Sequence, residues 1–339
     1  MNTAYFYLTP EGGDLARKLS MARPGDLYGK DNFKESLRLA FHRYDNLVCI
    51  MATGIVVRIL APLIVHKTSD PAVVVMDQKG RYAISLLSGH LGGANDLARE
   101  MAGISGGTPV ITTATDVAGE LSFDSFAKKY GMAIENIGTL KHISGALLRG
   151  EAVRVFTDRN YPDLEGRKLL RIIPVRDLLT NKENLPAVVI HEGAVLPGPA
   201  ESPVLYLRPR TICAGIGCKR GMPAQAIKDA LLNTLREEGL SPLSLSCLST
   251  IPLKADEAGI IETARSLQVD IKIIPTEDIK SLDITSLGIA SSEFVAENTG
   301  VPSVSTASAY LASGRGSILR DKAKYKGITI ALARMASIF

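Results

Sequence analysis

The run Ser88-Gly89-His90-Leu91-Gly92-Gly93-Ala94-Asn95-Asp96 sets an imidazole, a hydroxyl and an amide among three glycines. Glycine admits positive φ and lets a backbone approach a ligand closely. An imidazole titrates near neutrality, so His90 is the natural choice for general base or acid. Asn95 reads equally well as the N-cap of a following helix. Two further runs offer hydroxyls and carboxylates: Lys67-Thr68-Ser69-Asp70-Pro71, and Ile111-Thr112-Thr113-Ala114-Thr115-Asp116. Thr and Asp are also common turn formers, so neither run decides anything alone. In a fourth run, Ala52-Thr53-Gly54-Ile55 with Arg58, the glycine follows an apolar stretch. It would turn the chain into a helix whose N-terminal N–H groups suit an anion.

A fifth run, Gly215-Ile216-Gly217-Cys218-Lys219-Arg220-Gly221, is close to a dinucleotide fingerprint, with its last glycine one residue late. The next strand ends at Ser249-Thr250, where a ribose-binding acid would be needed. There is no G-K-[ST] triplet, which excludes a P-loop. What remains is a glycine loop with two adjacent cations. Lys219 supplies a point charge and Arg220 a planar fork, a pair suited to carboxylates. Lys254, Asp256 and Glu257 follow the next strand and read as a solvated helix start, with acids in the first turn.

The elements that must hold these runs alternate strand and helix. Asn46–Met51 and Ala72–Met76 are continuous apolar runs, expected as buried parallel strands. Tyr82–Leu87 is expected to pair with the second across the Asp77-Gln78-Lys79-Gly80 turn. Ile55–Ile64 and Asn95–Ala102 read as helices, and Pro109–Thr112 as a strand. In a parallel sheet the loops at the C-terminal edge would gather around one crevice. From Met132 to Arg210 the pattern weakens to strands at Val153–Thr157, Leu169–Pro174 and Ala187–His191. Leu196–Pro209, with prolines 197, 199, 203 and 209, ends in an expected linker. Ile212–Ile216 then opens a new α/β unit, followed by an amphipathic helix Ala224–Glu238 striped by Ile227, Leu231 and Leu235. The expectation is an α/β, multidomain protein. Two three-layer sandwich-like domains (1–131 and 211–339) flank a small middle α/β domain (132–210).

The 339 residues suit two or three domains, and 46% hydrophobic with 22% charged residues excludes a disordered chain. A net charge of +4 does not point to nucleic acid, and the absence of Trp argues against base-stacking platforms. An anionic small molecule fits the charge. The four cysteines form no C-x-x-C and read as free thiols of a reducing compartment. Pro10, Glu11 and Asp14 interrupt any signal peptide, and Ile55–Val65 is too short to span a bilayer. A cytoplasmic protein without membrane partners, in homodimeric form if it self-associates, is expected.

The runs Ala52–Arg58, Asp70–Val75, Leu86–Asn95 and Pro109–Asp116 together resemble the cobalamin-biosynthesis protein G family, the cobalt-precorrin-5A hydrolases. Gly215–Gly221, Lys254–Gly259 and Gly300-Val301-Pro302-Ser303-Val304 are similar to that family's C-terminal domain. The middle domain matches in position and length more than in motif. Two departures stand out: Ser305-Thr306-Ala307 where the family often has a glutamate, and Lys219 where arginine is commoner. The resemblance implies an enzyme of the anaerobic, early-cobalt route to vitamin B12. Its members open the δ-lactone on ring A of cobalt-precorrin-5A. The meso carbon between rings A and D then leaves with its methyl as acetaldehyde, giving cobalt-precorrin-5B.

Such a substrate carries many carboxylates and brings its own cobalt, so no cofactor or protein-bound metal is expected. Arg58, Lys67, Lys219 and Arg220 would supply charge. The loops bearing Thr53, Gly54, Asp70, Ser88, Gly89, Asn95, Thr112, Thr113, Gly215 and Gly217 would supply donors. His90 is the expected base, Gly92 and Gly93 N–H groups the expected oxyanion site, and His90 or Asp116 the proton carrier for acetaldehyde loss. The rival readings are a non-catalytic tetrapyrrole carrier and a nucleotide-phosphate enzyme.

Overall fold

The computed structural model describes residues 2–66, 69–181, 183–194 and 203–336, apart from the side chains of Val117, Phe294, Val295 and Asn298. Lys67, Thr68 and the stretch 196–202 of the expected linker lie outside the described residues. The chain divides into two compact units, Met1–Lys129 with Leu140–Glu151, and Tyr130–Thr139 with Ala152–Phe339.

The first unit is built on β1 (Thr3–Tyr7), β2 (Asp26–Tyr28), β3 (Asn46–Ile50), β4 (Ala72–Met76), β5 (Tyr82–Leu87) and β6 (Thr108–Val110), in the order β2-β1-β3-β4-β5-β6. Successive side chains of a strand face opposite ways, and both faces here are covered. Tyr5, Val48 and Val74 pack under the helices Pro10–Ala22 and Ala94–Ser105 through Leu15, Leu19, Leu97 and Met101. Phe6, Cys49 and Val75 pack under Phe33–Phe41 and Thr53–Leu60 through Leu37, Phe41, Val56 and Leu60. All of β3 and β4 is buried, hence their uninterrupted apolar sequence.

The expected pairing of Tyr82–Leu87 with Ala72–Met76 across a tight turn is present, and it makes the sheet mixed. β1 to β4 run parallel, but β5 is antiparallel to β4, with Val73 opposite Leu87 and Met76 opposite Ala83. β6 follows β5 in parallel. The loops leaving β5 and β6 therefore emerge at the edge where β3 and β4 begin. Thr53, Gly54 and Arg58, which follow β3, lie at the opposite edge. The single C-terminal crevice expected from a wholly parallel sheet does not form.

The second unit holds two sheets. The strands β7 (Met132–Ile134), β8 (Val153–Phe156), β9 (Leu170–Ile173), β10 (Ala187–Ile190) and β11 (Val204–Pro209) order as β7-β11-β10-β8-β9. β8 to β11 run parallel and β7 antiparallel to β11. The end of the expected linker is thus a strand inside a sheet. Leu205 and Leu207 are buried in it, and prolines 203 and 209 stand at its limits, where a missing N–H costs little.

The other sheet comprises β12 (Ile212–Cys218), β13 (Leu245–Thr250), β14 (Asp270–Ile273), β15 (Ser317–Tyr325) and β16 (Ile328–Arg334), ordered β14-β13-β12-β16-β15. Ile227, Leu231 and Leu235 of the helix Ala224–Glu237 cover one face, as the stripe implied. The helix Ser305–Ala312 covers the other. Glu192 joins the two sheets of this unit from a buried position. Its carboxylate accepts from Arg334 Nε at 2.8 Å, from Arg159 and from the Thr211 hydroxyl, and its carbonyl accepts from Ser241 N–H at 2.9 Å.

Candidate active site

The loop after β5 is held in an uncommon backbone path. Ser88 adopts φ +58° and Gly93 φ +94°, the latter at the N-terminus of the helix Ala94–Ser105. A Cβ on Gly92 would lie 2.3 Å from that of Ser88, so the turn admits only glycine there. Among the described residues, the N–H groups of His90, Leu91, Gly92 and Gly93 donate to no protein acceptor.

Gly93, not Asn95, caps the helix. Asn95 is buried one residue inside it and works as a cross-tie. It accepts from Ser85 Oγ at 2.7 Å and donates to Thr113 Oγ1 at 3.2 Å and Asp116 Oδ2 at 2.9 Å. This links the His90 loop to the segment after β6, where Asp116 sits in the short helix Ala114–Ala118. Thr112 is exposed beside it.

His90 lies between two carboxylates. Nε2 is 2.7 Å from Asp116 Oδ2 and Nδ1 is 3.3 Å from Asp124 Oδ1. The Ser122 hydroxyl stands 3.2 Å from Nδ1 and also donates to Asp124. Arg99 completes the chain at 2.6 Å from Asp116 Oδ1. The hydrogen bond to Asp124 raises the His90 pKa above its ordinary value of 6.5; burial opposes this, and Asp116 adds to it. For both aspartates burial pushes upward but is outweighed. Arg99 and His90 hold Asp116 below the usual range, and His90 and Ser122 do the same for Asp124.

Asp124 belongs to the helix Phe123–Lys129, which also carries Lys128 one turn on. Lys128 Nζ donates to the Gly92 carbonyl at 3.0 Å, and burial depresses its pKa. Beside it opens a cavity of about 540 Å³ lined by Leu91, Gly92, Asp70, Asp45, Arg43 and Lys128, among others. Asp70 is buried there, its two oxygens accepting from Val65 N–H at 3.2 and 3.1 Å. Sequence reasoning missed Arg99, Ser122, Asp124 and Lys128. Aspartate and lysine four apart on a helix look like an ordinary solvated pair, and only the fold turns them onto the loop.

Comparison with known proteins decides the family. Three family models match in succession: Cobalamin synthesis G N-terminal at residues 35–116, Cobalamin biosynthesis central region at 121–209 and Cobalamin synthesis G C-terminus at 212–333. The chain belongs to the cobalamin synthesis G family. Cobalt-precorrin-5A hydrolase of Salmonella typhimurium is 36% identical, over 97% of this chain and 96% of that protein. Cobalt-precorrin-5A hydrolase of Priestia megaterium is 32% identical, over 96% and 93%. The solved cobalamin biosynthesis protein chiG of Agrobacterium tumefaciens is 32% identical, covers 37% of this chain and 99% of its own, and superposes with a TM-score of 0.30.

The family boundaries fall across the site. His90, Asn95 and Asp116 lie in the match to the cobalamin synthesis G N-terminal model, while Ser122, Asp124 and Lys128 lie in the central-region match. The central region therefore supplies one of the two carboxylates that hold the histidine.

The remaining expected residues sit apart from this cluster. In the first unit, Thr53 borders a second cavity of about 460 Å³ at the far sheet edge with Thr9, Asp77 and Gln78. Arg58 donates to the carbonyl of Gly54 at 2.9 Å, satisfying its own helix rather than an outside anion. In the second unit, Gly215 and Gly217 are strand residues of β12, not loop residues. A Cβ on Gly215 would lie 1.8 Å from the Ser305 carbonyl oxygen, so this glycine exists to seat the helix Ser305–Ala312. Lys219 and Arg220 are exposed beyond the strand, and Arg220 pairs in bidentate fashion with Asp256, both bonds 3.1 Å. Glu257, expected to be solvated, is buried, accepting from Gly221 N–H at 2.8 Å and pairing with Lys254 at 3.2 Å.

Among the described residues no helix is long and apolar enough to cross a membrane.

Proposed function

We infer that this chain hydrolyses cobalt-precorrin-5A, the activity for which its relatives at 36% and 32% identity are named. The observation that carries a mechanism is His90 held between Asp116 and Asp124 beside unpaired loop N–H groups. Hydrolysis of a lactone needs water added to the carbonyl, a site for the tetrahedral oxyanion, and a proton for the departing ring oxygen. Backbone donors at Gly92 and Gly93 suit the oxyanion.

The arrangement argues against His90 as the base expected from sequence. A neutral imidazole donates from one nitrogen only, yet both nitrogens here face carboxylates. The protonated ring satisfies both, so His90 rests as a cation and serves as the proton donor. Asp124 Oδ2 bonds to no described residue and is the better acceptor for the proton of the attacking water. In this cycle water gives its proton to Asp124, His90 gives its own to the ring oxygen, and Asp124 returns a proton to His90. The same carboxylate can take the carbinol O–H proton as the C=O of acetaldehyde forms and the C–C bond to the macrocycle breaks, the electron pair of that bond staying in the conjugated macrocycle. Cobalt enters and departs within the substrate.

The test is direct. Purified protein mixed with cobalt-precorrin-5A should release one equivalent of acetaldehyde per macrocycle, read by coupling to alcohol dehydrogenase. Tight binding without acetaldehyde would leave a carrier in place of an enzyme.

A further inference from the structure

The proton chemistry above uses neither Lys128 nor the cavity beside it. Lys128 is half-buried, and of its three ammonium protons one goes to the Gly92 carbonyl. Among the described residues it forms no ion pair within 4 Å; Asp96 and Asp45 act on it only from farther off, and it lines the cleft with Arg43 and Asp45. Asp70, across that cleft, is turned away toward the Val65 N–H and the Ser69 hydroxyl. A cation with unused donors in a partly enclosed cavity is an incomplete pair, and its natural complement is a carboxylate. At about 540 Å³ the cavity suits a side chain and one edge of a macrocycle rather than a whole tetrapyrrole.

We propose that this cavity binds a peripheral carboxylate of the substrate, with the Lys128 ammonium as its counter-charge. Naming the ligand rests on the hydrolase reading; the anionic subsite does not. The position explains why one helix carries both groups. Asp124 and Lys128 stand four residues apart, just over one helical turn, a rise of about 6 Å. A carboxylate at Lys128 therefore places neighbouring atoms of the same macrocycle edge beside the His90 loop, whose Leu91 and Gly92 line the cavity. Lys128 is in this reading a substrate-positioning cation. The competing reading is a strut whose only task is to hold the Gly92 carbonyl.

Two substitutions separate them. Lys128→Gln keeps a donor for Gly92 and loses the charge, whereas Lys128→Arg keeps the charge. KM for cobalt-precorrin-5A is measured with acetaldehyde release, and Kd for cobalt-precorrin-5B by absorbance titration at low and high salt. Lys128→Gln should raise KM and Kd roughly ten- to a hundredfold, with kcat changed less than about threefold and a flatter salt response. Lys128→Arg should recover most of the affinity. Unchanged KM and Kd in Lys128→Gln, or a fall in kcat with Kd unchanged, overturns the proposal. Lys128-dependent binding by a wild-type protein that releases no acetaldehyde would keep the subsite and sink the hydrolase reading. Turnover with Lys128-independent binding would do the reverse.

Discussion

Two glycine-rich runs with charged neighbours, Ser88–Gly93 and Gly215–Gly221, look alike in sequence and end in opposite structural roles. In the first, glycines carry a loop between a strand and a helix, leaving N–H groups unpaired and His90 between two carboxylates. In the second, the first two glycines lie within a strand, where Gly215 admits a helix backbone that no side chain would tolerate. The cations after it point to solvent, and one is already paired. The difference is where the strand stops. Before Gly89 in one run, it continues through Cys218 in the other. Glycine in a loop exposes donors to a ligand; glycine in a strand spends its missing side chain on packing.

The largest expected effect tests the first run. His90→Gln should lower acetaldehyde release by about 10²–10⁴. The pH profile then tells acid from base. The His90 pKa is raised above 6.5, chiefly by Asp124, so the cation persists above that pH. Its contribution to stability is full below about pH 6.5 and disappears as pH rises through the raised value. If His90 is the acid, wild-type kcat/KM stays level across pH 6.5 and falls above it. Asp124→Asn removes the proposed base and should cost a similar factor, and the rate that remains should fall at lower pH than in the wild type. A rate that climbs through pH 6.5 would restore the base assignment.

A smaller effect tests the packing role of the second run. Gly215→Ala should destabilise the second unit by about 1–3 kcal/mol, because the helix Ser305–Ala312 must move away from β12. Thermal unfolding would show this as a drop of several degrees. An unchanged Tm would mean that the glycine is not there for the helix, and a ligand role would regain ground.

The smallest effect is expected at Arg220. Exposed ion pairs contribute little, and this one is screened by solvent. Arg220→Ala should leave Tm unaltered and change KM for cobalt-precorrin-5A by less than about threefold. A tenfold rise would show that the Asp256 pair opens to receive a substrate carboxylate, and the contrast between the two runs would fail.

Much of the scaffold was legible in the chain. The apolar runs of β3 and β4 and the Ile227-Leu231-Leu235 stripe record burial directly, because a strand covered on both faces and a helix covered on one leave different periods. The segment Val204–Pro209 was not legible, since prolines read as a linker until a neighbouring strand gives them an end position. His90 and Asp116 were expected on two loops converging at one sheet edge, and they meet at 2.7 Å. Asp124 and Lys128 had no comparable signal, being two ordinary charges of a short helix.

By itself the sequence determined which residues can carry charge, protons and unusual backbone angles, and which stretches must be buried. These follow from side-chain chemistry and local sterics, which do not depend on distant partners. Tertiary structure alone decided which of them meet. The β4–β5 turn was legible, but only the sheet order shows its consequence, the His90 loop at the edge opposite Thr53, Gly54 and Arg58. The helix Phe123–Lys129 brought a second carboxylate to His90 and a cation, without an ion pair among the described residues, to Gly92. A proton is held or released according to the charges within a few ångströms, and that neighbourhood is set by strand direction and helix placement rather than by the order of residues in the chain.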